Sequence, residues 1–272
     1  MPVGCSGGTE AQLLLLTGAF KSPNRYTSHM WSWFHKWGSP RWFYQFAERI
    51  LPWLKGLCAV VMLVGVVWGL AIAPADFKQG NSFRIFYIHV PTAVISLIGY
   101  YVMAIAGAVS LIWKMKLADI VMREAAPIGA LLTFLALFTG AVWGKPTWGT
   151  WWVWDARVTS MLILLFLYLG VMALGKAFDN PEQSGRACAL LSLVGTVNIP
   201  IIYKSVDWWY SLHQPATIKF TEESSIHTDM FWPFLIITIG FYLFYAMTLM
   251  ANTQVAILER EYKTRWVKEL VS

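Results

Sequence analysis

The chain has 272 residues, of which 57% are hydrophobic and 13% charged, whereas about a quarter of the residues of a soluble domain are charged. This composition excludes a disordered chain and is atypical of a soluble globule. The 21 Lys and Arg exceed the 15 Asp and Glu, giving a net charge of +6. In a membrane protein, Lys and Arg accumulate in the cytoplasmic segments, and this accounts for an excess of positive charge. Nucleic acid is therefore not predicted as a partner. The 16 Trp are unexpected, because lipid-facing helices are normally built from aliphatic residues.

The N-terminal region precedes the first long apolar run. Residues 1–29 contain an apolar stretch at 13–20 that is too short to span a bilayer and has Glu10, not a basic residue, before it, so it is a poor signal peptide. We interpret 1–29 as an N-terminal extension, with Met30 as an alternative start. Residues 30–49 are rich in Trp, Phe and basic side chains and are expected to form a cytoplasmic or interfacial lead-in.

Six stretches approach the about 20 mostly apolar residues that cross a bilayer. They are residues 50–73, 90–112, 125–143, 158–174, 187–203 and 231–251. If the N-terminus is cytoplasmic, the inside segments carry 15 of the 21 Lys and Arg, which is the positive-inside pattern. The sequence therefore predicts an all-α integral membrane protein with six transmembrane helices and both termini in the cytoplasm. The membrane domain would cover 50–251, and 252–272 would form a cytoplasmic tail.

The predicted spans contain few ionisable residues. Proton-coupled carriers usually place Asp, Glu or His near the middle of the membrane, but the third to sixth spans offer only groups such as Thr133, Thr139 and Asn198. Pro200 follows Asn198, and we interpret this pair as a helix kink with a local hydrogen bond. A secondary transporter of a small molecule is thus a disfavoured alternative.

The three cysteines form neither a CxxC pair nor a CxxCH haem-attachment motif. Thiol redox chemistry and covalently attached haem are therefore not expected. We predict that Cys5, Cys58 and Cys188 are small apolar packing residues, which is the usual role of free Cys.

The outer segment 143–157 is exceptionally rich in Trp. Gly144, Gly149 and the pair Lys145–Pro146 favour a shaped loop over a continued helix. On a helix one face would hold Trp148, Trp151, Trp152 and Asp155; on a strand, Trp148, Trp152 and Trp154. Burying one indole is worth on the order of 4–6 kcal/mol as an upper estimate, so several exposed indoles are costly. We predict a surface for a flat apolar ligand or a partner; an interfacial aromatic belt is the alternative.

Two other outer segments each place a histidine at the edge of a span. His89 lies at the start of the second span, and His213 follows the aromatic cluster 208–210. One such histidine is more often structural, but two on the same side of an indole-rich segment suit the axial ligands of a haem iron. His227 also lies outside but has polar neighbours, so it ranks below His213. His29 and His35 are predicted to be cytoplasmic.

A haem also carries two anionic propionates. The outer cations that could pair with them are Arg84, Lys145 and Arg157, of which the arginines can bind bidentately. Solvation at the surface or contact with lipid phosphate is an equally weighted alternative for these three residues.

The run WGTWWVWD at 148–155 resembles the tryptophan-rich (WWD) signature of haem-handling proteins in cytochrome c biogenesis, and residues 30–272 resemble the haem exporter protein C family. The resemblance implies a six-helix membrane bundle with His89 and His213 as axial haem ligands. It also implies a haem-binding platform formed by Trp143, Trp148, Trp151, Trp152, Trp154 and Asp155.

The resemblance further implies a function without catalysis by this chain. Haem b would be bound non-covalently, as cargo, on the periplasmic face of the bacterial inner membrane and delivered to the haem chaperone CcmE. The other implied partners are the ABC transporter subunits CcmA and CcmB, the small subunit CcmD and membrane lipid. ATP hydrolysis would belong to partners, because this chain has no GxxxxGK[ST] loop. A b-haem redox subunit that exchanges electrons with quinone is the second alternative; its histidines would normally lie inside the helices.

Overall fold

A computed structural model describes residues 38–209, 211–213 and 226–271. Within them the chain forms helices and no β-strand. The α-helices are α1 (Pro40–Val67), α2 (Phe86–Trp113), α3 (Lys116–Trp148), α4 (Ala156–Lys176), α5 (Pro181–Gly195), α6 (Asn198–Trp208), α7 (Thr228–Arg260) and α8 (Arg265–Val271). A π-helical turn, Trp68–Ile72, continues α1, and a 3-10 turn, Asn81–Ile85, leads into α2.

Six helical segments are long and apolar enough to cross a membrane. They are Pro40–Ile72, Asn81–Trp113, Lys116–Trp148, Ala156–Lys176, Pro181–Trp208 and Thr228–Arg260. Each contains one of the six predicted stretches, apart from Ala73 at the end of the first, so the prediction of six spans is confirmed. The first span begins at Pro40, and half of the expected lead-in is therefore helical. The expected extension, 1–29, lies outside the described residues.

Two of the three hydrophobic clusters among the described residues contain side chains of both α2 and α3. One contains Tyr100, Leu164 and Tyr168, all fully buried, and the other contains Tyr87 and Ile237. Cys188 is buried in the first cluster, and Cys58 is buried as well; both are free thiols, as predicted. Cys5 lies outside the described residues.

The outer segment 143–157 corrects the sequence-based expectation of a loop. Helix α3 continues through Lys145 and Pro146 and ends only where Gly149 adopts φ 79° and donates its N–H to the Lys145 carbonyl. Proline removes one backbone donor, but the helix continues past Pro146, and the Thr147 hydroxyl donates to the Trp143 carbonyl at 2.7 Å. The non-helical segment is thus 149–155. It forms neither a helix nor a strand, so the groupings of Trp residues expected on a helix face or a strand face do not apply to it.

The fifth span is interrupted over the two residues directly before Asn198. Residues 196–197 form a turn, and α6 begins at Asn198, whose side-chain amide donates across to the Ser160 carbonyl of α4 at 2.9 Å. A break in the helix is present at the predicted place, but the predicted local hydrogen bond of Asn198 is wrong. The hydrogen bond that accompanies it is between helices, so the polar group of Asn198 is used for packing.

The end of the bundle at which α3 starts is held by a charged cluster. Asp119 accepts from Arg260 of α7 at 2.6 Å and from Arg123 at 3.3 Å. Arg123 also donates to the Gly175 carbonyl and to Ser184, each at 3.2 Å. The cluster therefore joins α3, α4, α5 and α7 at the end opposite to the Trp-rich segment, where α3 terminates.

Candidate functional site

The two histidines that the sequence selects lie side by side at the Trp-rich end of the bundle. Their ring centroids are 6.3 Å apart, and the ring planes are inclined by 34°. Two metal–nitrogen bonds of about 2.1 Å, plus about 1.1 Å from each nitrogen to its ring centre, give a separation of about 6.4 Å for two imidazoles on one ion. The spacing of the His89 and His213 rings matches this separation, so the two imidazoles could hold one metal ion between them.

The hydrogen bonds of His89 determine which of its ring nitrogens is available. Its Nδ1 lies 2.9 Å from the carbonyl oxygen of Ala136 and 3.2 Å from the hydroxyl of Thr139. A carbonyl oxygen only accepts, so Nδ1 carries the hydrogen and donates it, and Nε2 is left with a free lone pair. Metal-bound histidines usually donate their second N–H in this way. In this tautomer Nε2 of His89 could bind a metal ion.

Gly140 provides the surface on which the imidazole of His89 lies. A Cβ atom built at position 140 would be 2.9 Å from Cε1 and 3.4 Å from Nδ1 of His89. On another side the ring of Trp143 approaches His89 edge-on, with centroids 5.7 Å apart. The α3 residues Ala136, Gly140 and Trp143 therefore fix the His89 ring in place.

Trp143 is partly buried in α3 and joins the loop between the first two spans to the site. Its indole N–H donates to the side-chain oxygen of Gln79 at 2.7 Å. Asp76 shapes that loop, because its Oδ1 accepts from the backbone N–H of Lys78 at 2.9 Å and of Gln79 at 2.7 Å. Trp143 therefore forms a wall beside His89 and is hydrogen-bonded into the protein.

The other predicted platform residues differ in their surroundings. The ring of Trp148 lies 6.1 Å from that of His213. Trp152 and Trp154 contact each other edge-on at 5.4 Å, and Trp154 is 77% exposed. Trp151 is 57% exposed. The indole N–H of Trp152 is buried, and in the part of the chain that the structure describes it has no hydrogen-bond partner.

Asp155 ends the Trp-rich segment and caps α4. Its Oδ1 accepts from the backbone N–H of Val158 at 2.8 Å, and its Oδ2 accepts from the hydroxyl of Ser211. The same hydroxyl oxygen accepts from the backbone N–H of His213 at 3.1 Å. The carboxylate is therefore directed towards the segment that carries His213.

The three predicted propionate partners have different local contacts. Arg84 donates to the Leu70 carbonyl at 2.6 Å and to Asn81 at 3.2 Å, and Lys145 donates to the Gly149 carbonyl at 3.0 Å. These acceptors are neutral, and the hydrogen bonds hold the two side chains against the ends of helices and loops. Arg157 forms no ion pair or hydrogen bond with any of the described residues, and its electrostatic neighbours include Asp155 and His89. Among the three candidates, Arg157 is thus the one whose guanidinium is not engaged by the described part of the chain.

Comparison with known proteins identifies the family. The family profile described as "Heme exporter protein C" matches residues 33–268. The chain belongs to the Heme exporter protein C family. It is 47% identical to the Heme exporter protein C of Haemophilus influenzae over 241 residues, which cover 89% of this chain and 98% of the relative.

The similarity extends to other lineages. The Heme exporter protein C of Escherichia coli strain K12 is 47% identical over 242 residues, with 89% of this chain and 98% of the relative covered. A Marchantia polymorpha protein named "Putative cytochrome c biosynthesis ccmC-like mitochondrial protein" is 40% identical over 219 residues, which are 80% of this chain and 93% of that protein.

The third histidine that the sequence predicts on the outer side, His227, lies at the N-terminus of a helix of this Heme exporter protein C family member. His227 is the N-cap of α7, where its Nδ1 accepts from the backbone N–H of Asp229 at 3.3 Å, and its side chain is 72% exposed. Its N-cap position agrees with the lower rank given to it as a ligand. His29 and His35 lie outside the described residues.

Besides Ala136, which acts through its backbone carbonyl, four residues that support the histidines were not selected from the sequence. Gly140 and Gly144 form a Gly-xxx-Gly pair, a spacing that indicates close packing on a membrane helix. This spacing is the sequence signal by which Gly140 could have been found. Thr139 was noted only as a polar group within a span. Gln79 and Ser211 carry no local signal, because their roles depend on partners distant in the chain.

Proposed function

We propose that this chain binds haem b non-covalently, as cargo, at the end of the bundle that carries His89 and His213, and that it hands the haem on for cytochrome c maturation. The observation that carries the proposal is the 6.3 Å spacing of the two rings, combined with the hydrogen bond that leaves Nε2 of His89 free. Membership in the Heme exporter protein C family supports the same cargo. In this function the chain is a haem-handling component and not an enzyme.

The surroundings of the pair suit the chemistry of haem. The macrocycle is flat and apolar, and the rings of Trp143 and Trp148 lie beside the two histidines. The propionates are anionic, and Arg157 offers a guanidinium that the described residues leave unpaired. Arg84 and Lys145 add positive charge at the same end. The exposed indoles of Trp151 and Trp154 are free to contact an edge of the bound haem or a receiving protein.

The proposed setting is the bacterial inner membrane, with both termini in the cytoplasm and the histidines on the periplasmic side. The positive-inside distribution of Lys and Arg supports this orientation. The receiving protein would be the haem chaperone CcmE. The ABC subunits CcmA and CcmB would hydrolyse ATP, and CcmD would be a small membrane partner.

Absorption spectroscopy of the detergent-purified full-length protein tests the site. We expect the wild type and His227→Ala, the matched control at an outer histidine, to hold six-coordinate haem, and His89→Ala and His213→Ala to lose that spectrum. If both of the latter variants keep an unchanged six-coordinate spectrum, the assignment is wrong. Quinol-dependent reduction of the haem by this chain alone would instead support the redox alternative.

Cysteine labelling tests the orientation. A cysteine introduced at exposed Lys78, in the first outer loop, should react with a membrane-impermeant maleimide in intact spheroplasts. A cysteine at exposed Lys263, between α7 and α8, should react only after permeabilisation. Cys58 and Cys188 are buried and contribute little background, and Cys5→Ser removes the third thiol. The reverse pattern would place the histidines in the cytoplasm.

A further inference from the structure

Asp155 contacts two separate parts of the chain through its two carboxylate oxygens. Oδ1 accepts from the backbone N–H of Val158 at 2.8 Å and caps α4, and Oδ2 accepts from the hydroxyl of Ser211. The positive end of the α4 dipole favours a negative charge at this position. Because both oxygens are engaged within the chain, the carboxylate is better suited to hold the protein together than to touch the cargo.

Ser211 passes this restraint on to a proposed haem ligand. Its hydroxyl donates to Asp155, and its oxygen accepts from the backbone N–H of His213 at 3.1 Å. A hydroxyl that donates to a carboxylate forms a stronger hydrogen bond than one that donates to a neutral group. A continuous series of hydrogen bonds therefore runs from the start of α4 through Asp155 and Ser211 to the backbone of His213.

The two histidines differ in how their positions are fixed. His89 belongs to α2, and its ring is held by the Ala136 carbonyl and by contact with Gly140. Residues 211–213 belong to no helix or strand. No helix therefore sets the backbone direction at His213. The hydrogen bond that its backbone N–H donates to the Ser211 hydroxyl oxygen restrains it instead.

We propose that Asp155 and Ser211 are positioning residues that hold His213 opposite His89. Asp155 then acts through Ser211 on a ligand, and it links the end of the Trp-rich segment to the coordination of the cargo iron. This inference rests on the proposed function, because it concerns how one of the two proposed haem ligands is held. A role for Asp155 confined to capping α4 is the competing explanation.

Variants at position 211 separate the two explanations. Ser211→Ala keeps the contact of Asp155 with Val158 and removes the link to His213, whereas Ser211→Thr keeps the hydroxyl. Asp155→Asn keeps a good capping group but removes the charge and the acceptor that faces Ser211. Asp229→Asn is the matched control, because it removes one carboxylate charge from the first turn of another helix, α7.

The measurement is the haem affinity and spectrum of each full-length variant in detergent, with and without added imidazole. Loss of a group that orients a metal ligand costs roughly 10- to 100-fold in affinity, and we expect this loss for Ser211→Ala and a smaller one for Asp155→Asn. Imidazole should restore the six-coordinate spectrum of Ser211→Ala, as it should for His213→Ala. Ser211→Thr and Asp229→Asn should remain within twofold of the wild type.

The outcomes distinguish this inference from the function on which it rests. A wild-type affinity for Ser211→Ala overturns the inference, provided that His213→Ala has lost the six-coordinate spectrum. Equal losses in Ser211→Ala and Ser211→Thr also overturn it, because the hydroxyl would then be irrelevant. If Ser211→Ala does not fold, a wild-type affinity for Asp155→Asn overturns the inference in its place. An unchanged spectrum in both His89→Ala and His213→Ala would refute the proposed function itself.

Discussion

Replacement of Gly140 by Ala tests whether the position of the His89 ring limits haem binding. The added Cβ would lie 2.9 Å from Cε1 of His89, so the ring must retreat by at least about 0.6 Å to reach ordinary carbon–carbon contact at about 3.5 Å. The hydrogen bond from Nδ1 to the Ala136 carbonyl is 2.9 Å long and tolerates only about 0.3 Å before it leaves the usual range. The substitution therefore displaces the imidazole and strains its orienting hydrogen bond together.

The expected loss of haem affinity for Gly140→Ala is roughly 10- to 100-fold, as for other changes that misorient a metal ligand, or about 1.4–2.7 kcal/mol. The fold itself should tolerate the change, because Ala is favoured over Gly inside a helix by roughly 0.5–1 kcal/mol, which offsets the contact. Haem binding should therefore fall while the melting temperature of the haem-free protein stays close to the wild-type value.

The assay is titration of haem into the haem-free protein in detergent, followed by its absorption spectrum, together with thermal unfolding of each variant. Gly56→Ala is the matched control: it adds the same methyl group within α1, where a Cβ meets nothing within 4 Å. Its affinity should equal that of the wild type. An affinity within twofold of the wild type for Gly140→Ala, with an unchanged spectrum, would refute the reasoning that packing on α3 positions His89.

Three further substitutions test contacts away from the ligands. Gln79→Leu removes the acceptor of the Trp143 indole N–H and should destabilise the protein by about 1–3 kcal/mol, measured by thermal unfolding; an unchanged melting temperature would mean that this bond does not hold the outer loop. Asp119→Ala leaves the partly buried Arg123 and Arg260 without their carboxylate. It should lower the free energy of unfolding by at most about 3–5 kcal/mol, and by less because solvent screens the partly exposed arginines, while the haem spectrum stays the same. A changed spectrum would contradict the separation of this cluster from the histidines at the other end of the bundle. Asn198→Leu breaks the hydrogen bond to the Ser160 carbonyl and should lower the free energy of unfolding by about 1 kcal/mol without affecting haem affinity. A selective loss of haem binding would instead show that Asn198 is part of a ligand site.

The chain's own sequence determined the number of spans and the choice of the two paired histidines. A membrane span is a local property, since about 20 consecutive apolar residues suffice to identify it. The histidines could be selected because both lie at the edges of the predicted spans on the same predicted side, beside a segment that is unusually rich in Trp, although His89 itself lies within α2. The family resemblance rested on the run 148–155, which is continuous in the sequence.

The limits of the Trp-rich loop depended on details that composition does not encode. Pro146 and Gly144 predicted a break in the helix, yet α3 ends only where Gly149 adopts φ 79° and donates its N–H to the Lys145 carbonyl. Proline near the end of a helix removes a single backbone donor, so the helix can continue past it to a better stop signal.

Only the tertiary structure decided what holds the histidines and where Asp155 is directed. The contact from His89 to Ala136 spans 47 positions of the chain, and that from Ser211 to Asp155 spans 56. Hydropathy and turn signals report on neighbours within a few residues, whereas these bonds form only after separate helices have packed against one another. The sequence therefore selects the proposed ligands, and the packing of α2, α3 and α4 fixes the tautomer of His89, the spacing of the two rings and their support.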